Sequence, residues 1–215
     1  MTDHPILFSA PMVLAILAGH KTQTRRVVTF QYAAEVDAWA QDVTRPEMWR
    51  MGVMGEGGPM ADTGAIRCPY GQPGDRLWVR ETHCLLDIPH SPWPDLPHRC
   101  GGDGLTCHYR VGFDRTEPRW RPSIHMPRWA SRIILEVLDV RVERLQDISE
   151  ADARAEGVVV DMVDSGGQDQ TGNWIDIPDY IGPFMRLWDS INGKRPGCSW
   201  AANPWVWRVE FRVTG

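Results

Sequence analysis

The sequence predicts a mainly β, α+β domain: a small β-barrel with short peripheral helices and long loop insertions. Three observations carry this. Apolar and polar residues alternate over residues 76–80, 131–145 and 205–213, the period of a half-buried strand. Helical patterns are few and short. Stretches rich in Gly, Pro and polar residues lie at about 49–72, 87–118 and 163–182, and they read as insertions on a single domain spanning 1–215, not as linkers.

Residues 11–18 are almost entirely apolar, with Ser9 placed to cap a helix and Gly19 placed to end it in the left-handed region. Val27 and Val28 then favour a strand. Ala33, Val36, Ala38 and Trp39 have helical spacing ahead of the first insertion. A tight turn at Pro73, Gly74 and Asp75 leads into 76–80, where Leu77 and Val79 take one face and Arg76, Trp78 and Arg80 the other. In 131–145 the apolar parity shifts from Ile133, Leu135 and Val137 to Leu138, Val140 and Val142, so one long, bent or bulged strand is expected. Ser149 with Asp152 is a capping signal for a helix that ends at Gly157, which puts Glu156 in its last turn. A second helix over 183–192 carries Phe184, Leu187, Trp188 and Ile191 on one stripe and stops at Gly193. Residues 205–213 close the chain as an aromatic-rich strand.

The chain has 215 residues, 42% hydrophobic, with a net charge of −5. That length supports a sizeable core, and the acidic balance argues against a protein that grips long duplex DNA through its phosphates. A nucleoside or a short single-stranded RNA remains compatible. No apolar run reaches the ~18 residues of a membrane span, and the N-terminal apolar stretch lacks a basic leader, so a cytoplasmic protein with no membrane partner is expected. Five cysteines at irregular spacing fit reduced thiols. His98, Cys100, Cys107 and His108 lack the spacing of a zinc finger or ribbon, so no metal and no other cofactor is expected.

Chemistry concentrates in residues 19–26, Gly-His-Lys-Thr-Gln-Thr-Arg-Arg. Lys and Arg at such junctions are commonly solvated surface. Here, however, core flanks the cluster on both sides, which fixes Lys21, Thr24, Arg25 and Arg26 in place and suits an anionic or carbonyl-bearing ligand. A second strip interleaves indoles with guanidiniums: Arg76 and Arg80 around Trp78, and Arg128 and Arg132 around Trp129. Such a surface can stack a base and hold its phosphate, so Trp78, Arg80, Arg128 and Trp129 are candidate substrate contacts. The segment at Phe8 and Ser9 is a further candidate pocket wall.

These motifs, in this order, resemble an ASCH domain: the apolar helix followed by 19–26, the Pro-Gly-Asp turn into 76–80, the strand ending at Leu145 with Glu156 behind it, and the aromatic closing strand. The resemblance covers roughly residues 5–29, 70–82, 119–157 and 183–213 and is nearest to phage and prophage members. It implies a fold similar to the PUA pseudo-barrel, which is associated with RNA. Small bacterial members are N4-acetylcytidine amidohydrolases whose proposed catalytic set matches Lys21, Thr24 and Glu156 here. Other members are ribonucleases or RNA-binding modules without catalysis, so both stand as alternatives. This chain is nearly twice as long as the compact amidohydrolases, and its insertions fall outside the resemblance.

Removing an acyl group from an exocyclic nitrogen needs a nucleophile, a base and a proton donor. Thr24 Oγ, or a water it holds, takes the first role, Lys21 the second and Glu156 the third, with backbone N–H groups around 22–25 as oxyanion donors. Lys21 acts as a base at neutral pH only if its pKa falls by about three units, equivalent to ~4 kcal/mol. Burial and the charges of Arg25 and Arg26 push that way, whereas pairing with Glu156 opposes it and favours an oxyanion-stabilising role. Residues 21 and 24 have opposite strand parity, so a turn just after Gly19 is expected to bring them to one ligand. Arg26 shares the parity of Thr24.

Overall fold

The computed structural model describes residues 1–29, 38–53, 61–87, 93, 96–102, 104–113, 119–158, 166–168, 174–176 and 180–214. The elements in the first half are β1 (Asp3–Leu7), α1 (Ala10–Leu17), β2 (Gln23–Val27), β3 (Ala38–Gln41), β4 (Met48–Val53), β5 (Ala61–Arg67), β6 (Arg76–Arg80), β7 (His83–Leu86), β8 (His98–Cys100) and β9 (Thr106–Tyr109). Then come β10 (Ile134–Arg144), α2 (Glu150–Ala155), β11 (Gly166–Gln168), β12 (Trp174–Asp176), α3 (Ile181–Asn192) and β13 (Trp205–Val213). The protein is mainly β with few helices, and among the described residues no closed barrel is found. The chain folds as two compact units interleaved along the sequence: 1–19, 69–138 and 211–215 form one, and 20–68 with 139–210 the other.

In the first unit β1 runs parallel to β6, from Asp3 opposite Arg76 to Leu7 opposite Arg80, and the start of β10 lies antiparallel to β6. Ile6, Leu77, Val79 and Leu135 are buried on the strands, as the alternation requires, and Val13 and Ile16 are buried on α1. Asp75, in the turn before β6, accepts the N–H of Thr2 at 2.6 Å and of Gln72 at 3.2 Å, which pins the start of β1. β7, β9 and β8 form a separate antiparallel sheet. Behind it Cys107, Tyr109, Met126 and Ala130 pack as a cluster. The second insertion thus contains β8 and β9, strands the alternation did not announce.

In the second unit β13 and β2 are antiparallel, from Val206 opposite Val27 to Glu210 opposite Gln23. Leu145, Ile148, Ala153, Phe184, Trp188 and Val206 form the core under α2 and α3. β3, β4 and β5 make an antiparallel sheet, and the indoles of Trp49 and Trp207 meet edge to face at 5.9 Å. Ala38 and Trp39 therefore lie in a strand and not in the expected helix, because pairing with Gly52 and Met51 outweighs local spacing. Ala33 and Val36 lie outside the described residues, as does most of 163–182 apart from the β11–β12 ladder.

Local signals act largely as the sequence indicates. Gly19 and Gly157 adopt φ of +74° and +76°, ending α1 and α2 where a side chain is disfavoured. Ser149 caps α2 by accepting the Asp152 N–H at 3.1 Å, and Asp152 returns the contact. Ser9 holds the N-cap position of α1 but makes no side-chain cap bond. Gly193 ends α3 with φ of −60°, so its role there is not left-handed; an added Cβ would stand 2.6 Å from the Asp189 carbonyl oxygen. β10 keeps one strand through the parity shift, burying Leu135 and Val137 and then Val140. Replacing Ser149 with Ala is expected to cost about 1 kcal/mol in urea unfolding through loss of the α2 cap; an unchanged midpoint would contradict that role.

Candidate functional site

β2 reaches back to Gln23, so the second half of the polar cluster, residues 23–26, is itself strand. Just before it, Lys21 forms an isolated antiparallel bridge with Glu156, and the Thr22 N–H donates to the Ala155 carbonyl at 2.9 Å. The end of α2 is therefore stitched to the entrance of β2. Lys21 Nζ donates to Glu156 Oε2 at 2.6 Å and to the Glu156 backbone oxygen at 2.8 Å. The two residues are 135 positions apart in the chain and are 3% and 4% exposed.

The second oxygen of Glu156 is shared with another cation. Arg25 Nη1 donates to Glu156 Oε1 at 3.3 Å. The same guanidinium gives Nε to Glu143 Oε1 at 2.8 Å and sets Nη2 at 2.6 Å from that oxygen and 3.3 Å from Asp152 Oδ2. Asp152 also accepts from Gln23 Nε2 at 2.8 Å, from Ser149 Oγ at 2.9 Å and from Arg208 Nη2 at 3.3 Å. Arg208 Nε in turn donates to Gln23 Oε1 at 2.7 Å. The result is an interior network in which every acid has at least one cation and Arg25, with a fully buried side chain, touches three carboxylates.

Electrostatics follow from this placement. Burial pulls Lys21 below the ordinary lysine pKa; Glu156 pulls it back up by charge and hydrogen bond, and Arg26 and Arg25 push it down again. The net direction is downward. Burial tends to raise the Asp152 carboxyl, but hydrogen bonds from Gln23 and Ser149 and the charge of Arg25 outweigh it and hold the group at about 2.

No protein-family model, curated protein sequence or solved structure matches this chain.

Of the sequence-derived catalytic set, the structure joins Lys21 and Glu156. Thr24 is buried on β2 between two residues that both bond Asp152, so strand alternation turns its side chain to the other face. No hydrogen bond to the Thr24 hydroxyl occurs among the described residues. Arg26 shares that face, is half-buried, and is close enough for its charge to act on Lys21. Arg25 faces the acids and is committed to them.

The indole–guanidinium strip is arranged differently from the sequence picture. Trp78 is 7% exposed, with the Arg80 guanidinium over its ring at 4.4 Å and that of Arg128 at 5.9 Å. Arg128 is paired with Asp3 at 2.6 Å and Arg132 with Glu81 at 2.8 Å. Trp129 is half-buried against the Tyr109 cluster. Ser9 is exposed at the start of α1.

Among the described residues no three His, Cys, Asp or Glu side chains gather as a metal would need. In the β8–β9 ladder His98 faces His108 and Cys100 faces Thr106, so Cys107 projects from the opposite face. Burial pushes the Cys107 thiol up to about 12, and none of the five cysteines is in a disulfide.

Sequence reasoning overlooked Glu143, Gln23 and Arg208 and read Asp152 as a cap alone. Only Asp152 carried a local signal, and that signal named its partner in α2, not those on other strands. The acid requirement has a sign. An Asp held below its unfolded value of 3.8 contributes stability above about pH 4, and that contribution is lost as pH falls through about 2. Urea unfolding of the wild type is expected to weaken across that window, and an Asp152→Asn protein to be weaker at neutral pH and flatter below pH 4; parallel pH curves would contradict the assignment.

Proposed function

We infer that this chain is a hydrolase of the ASCH type that removes the acyl group from an N4-acylated cytidine, with N4-acetylcytidine going to cytidine and acetate. The observation that supports it is the buried contact of Lys21 Nζ with Glu156 at 2.6 Å, where burial lowers the proton affinity of the amine. A lysine so placed is within reach of base chemistry that an exposed one is not. The resemblance of 19–26 and of the α2 terminus to the amidohydrolase motifs supports the same reading.

In this reading a water attacks the acyl carbon while its proton passes to Lys21, and the carbonyl electrons move onto oxygen. Thr24, turned to the other face of β2, takes no part in that proton transfer. Collapse of the tetrahedral intermediate releases acetate and breaks the bond to N4, which takes a proton from the Lys21–Glu156 pair and leaves as the exocyclic amine of cytidine.

A second reading, an RNA-binding module without catalysis, is favoured by Arg119 and Arg121. Both are exposed and have no carboxylate partner among the described residues, so they are available to phosphates.

Chromatography of N4-acetylcytidine incubated with the protein tests the first reading. Cytidine is expected from the wild type, with loss of about 100-fold or more in Lys21→Ala. No cytidine from the wild type, with oligonucleotide binding that weakens steeply with salt, would favour the second.

A further inference from the structure

The carboxylate of Glu156 is divided. Oε2 lies 2.6 Å from Lys21 Nζ and Oε1 lies 3.3 Å from Arg25 Nη1. The longer contact is the telling one, since an unopposed buried guanidinium closes on a carboxylate to about 2.8 Å. Arg25 does not close because Glu143 of β10 holds it, at 2.8 Å from Nε and 2.6 Å from Nη2, with Asp152 of α2 beside the same Nη2 at 3.3 Å. Asp152 is itself bonded by Gln23, Ser149 and Arg208.

We propose that Glu143 and Asp152 are positioning residues that act through Arg25: by keeping its guanidinium off Glu156 they leave that carboxylate to Lys21 and thereby set the pH at which Lys21 releases its proton. The inference rests on the hydrolase reading for its consequence in turnover, but not for its physical content.

Among the described residues, Asp152 lies in α2 and Glu156 caps its end, Arg25 and Arg26 belong to β2 and Glu143 to β10, with Arg208 of β13 behind Asp152. Neutralising Glu143 lets Arg25 move onto Glu156 Oε1 and compete for the carboxylate, which makes the protonated amine less favourable. Neutralising Asp152 acts the same way.

The composition makes this measurable. Lys21 and Lys194 are the only lysines among 23 Lys and Arg residues. Lys194 is exposed in the turn after α3. Protein labelled with 15N-lysine therefore gives two side-chain signals, one of them an internal reference. In Glu143→Gln and in Asp152→Asn the Lys21 midpoint is expected to fall by about half a pH unit or more, roughly a threefold loss of proton affinity, with Lys194 unmoved. Glu143→Asp, which keeps the charge at shorter reach, should fall between the Gln variant and wild type. A Lys21 midpoint unchanged in the folded variants, whatever their loss of stability, would overturn the proposal; if one variant does not fold, the other two decide.

Turnover of N4-acetylcytidine by the same proteins separates the two claims. A moved titration with no wild-type turnover refutes the hydrolase and keeps the positioning role. Wild-type turnover with an unmoved titration does the reverse. If both hold, the acidic limb of the pH–rate profile moves with the Lys21 midpoint.

Discussion

One carboxylate shared by two buried cations organises the second unit. Glu156 receives Lys21 on one oxygen and Arg25 on the other, and desolvating these charges is tolerable only while each keeps its partner. The constraint spreads outward. Arg25 requires Glu143 and Asp152, Asp152 requires Gln23 and Arg208, and these contacts tie α2, β2, β10 and β13 together. Gly157 and Gly19, both with positive φ, turn the chain sharply at the two approaches to the pair.

The choice of lysine in this network is informative. The chain uses arginine almost everywhere it needs a cation, and arginine is the better residue for a static buried ion pair because its fork bonds a carboxylate at two points. A lysine offers what arginine does not, an amine that can lose its proton when buried. A purely structural pair at this position would be served by arginine, and Arg25 next door shows the chain supplying one. That contrast supports a proton-handling role for Lys21.

Much of the frame was legible in the sequence because it rests on local signals. Alternation located β6, β10 and β13, the Ser149–Asp152 capping pair located α2, and the left-handed glycines located helix ends. The pairing of Lys21 with Glu156 was reachable only through family resemblance, since nothing local announces a contact between residues 135 positions apart. What escaped was long-range and polar. Glu143 and Arg208 look like ordinary solvent-facing strand residues until their neighbours are known, and Trp78 among arginines looks exposed until the guanidiniums are seen to cover its ring. Ala38 and Trp39 misled because a short helical spacing is weaker than a ladder with β4.

The account stands on Lys21 and Glu156 being energetically coupled in the folded protein, and a double-mutant cycle measures that coupling directly. Urea unfolding of wild type, Lys21→Met, Glu156→Gln and the double variant is expected to show each single change costing about 3 kcal/mol or more, because it strands a buried charge. The double variant should cost clearly less than the sum, by about 2 kcal/mol or more. Additivity within about 0.5 kcal/mol would mean that the two groups do not depend on each other, and the shared-carboxylate account would be wrong.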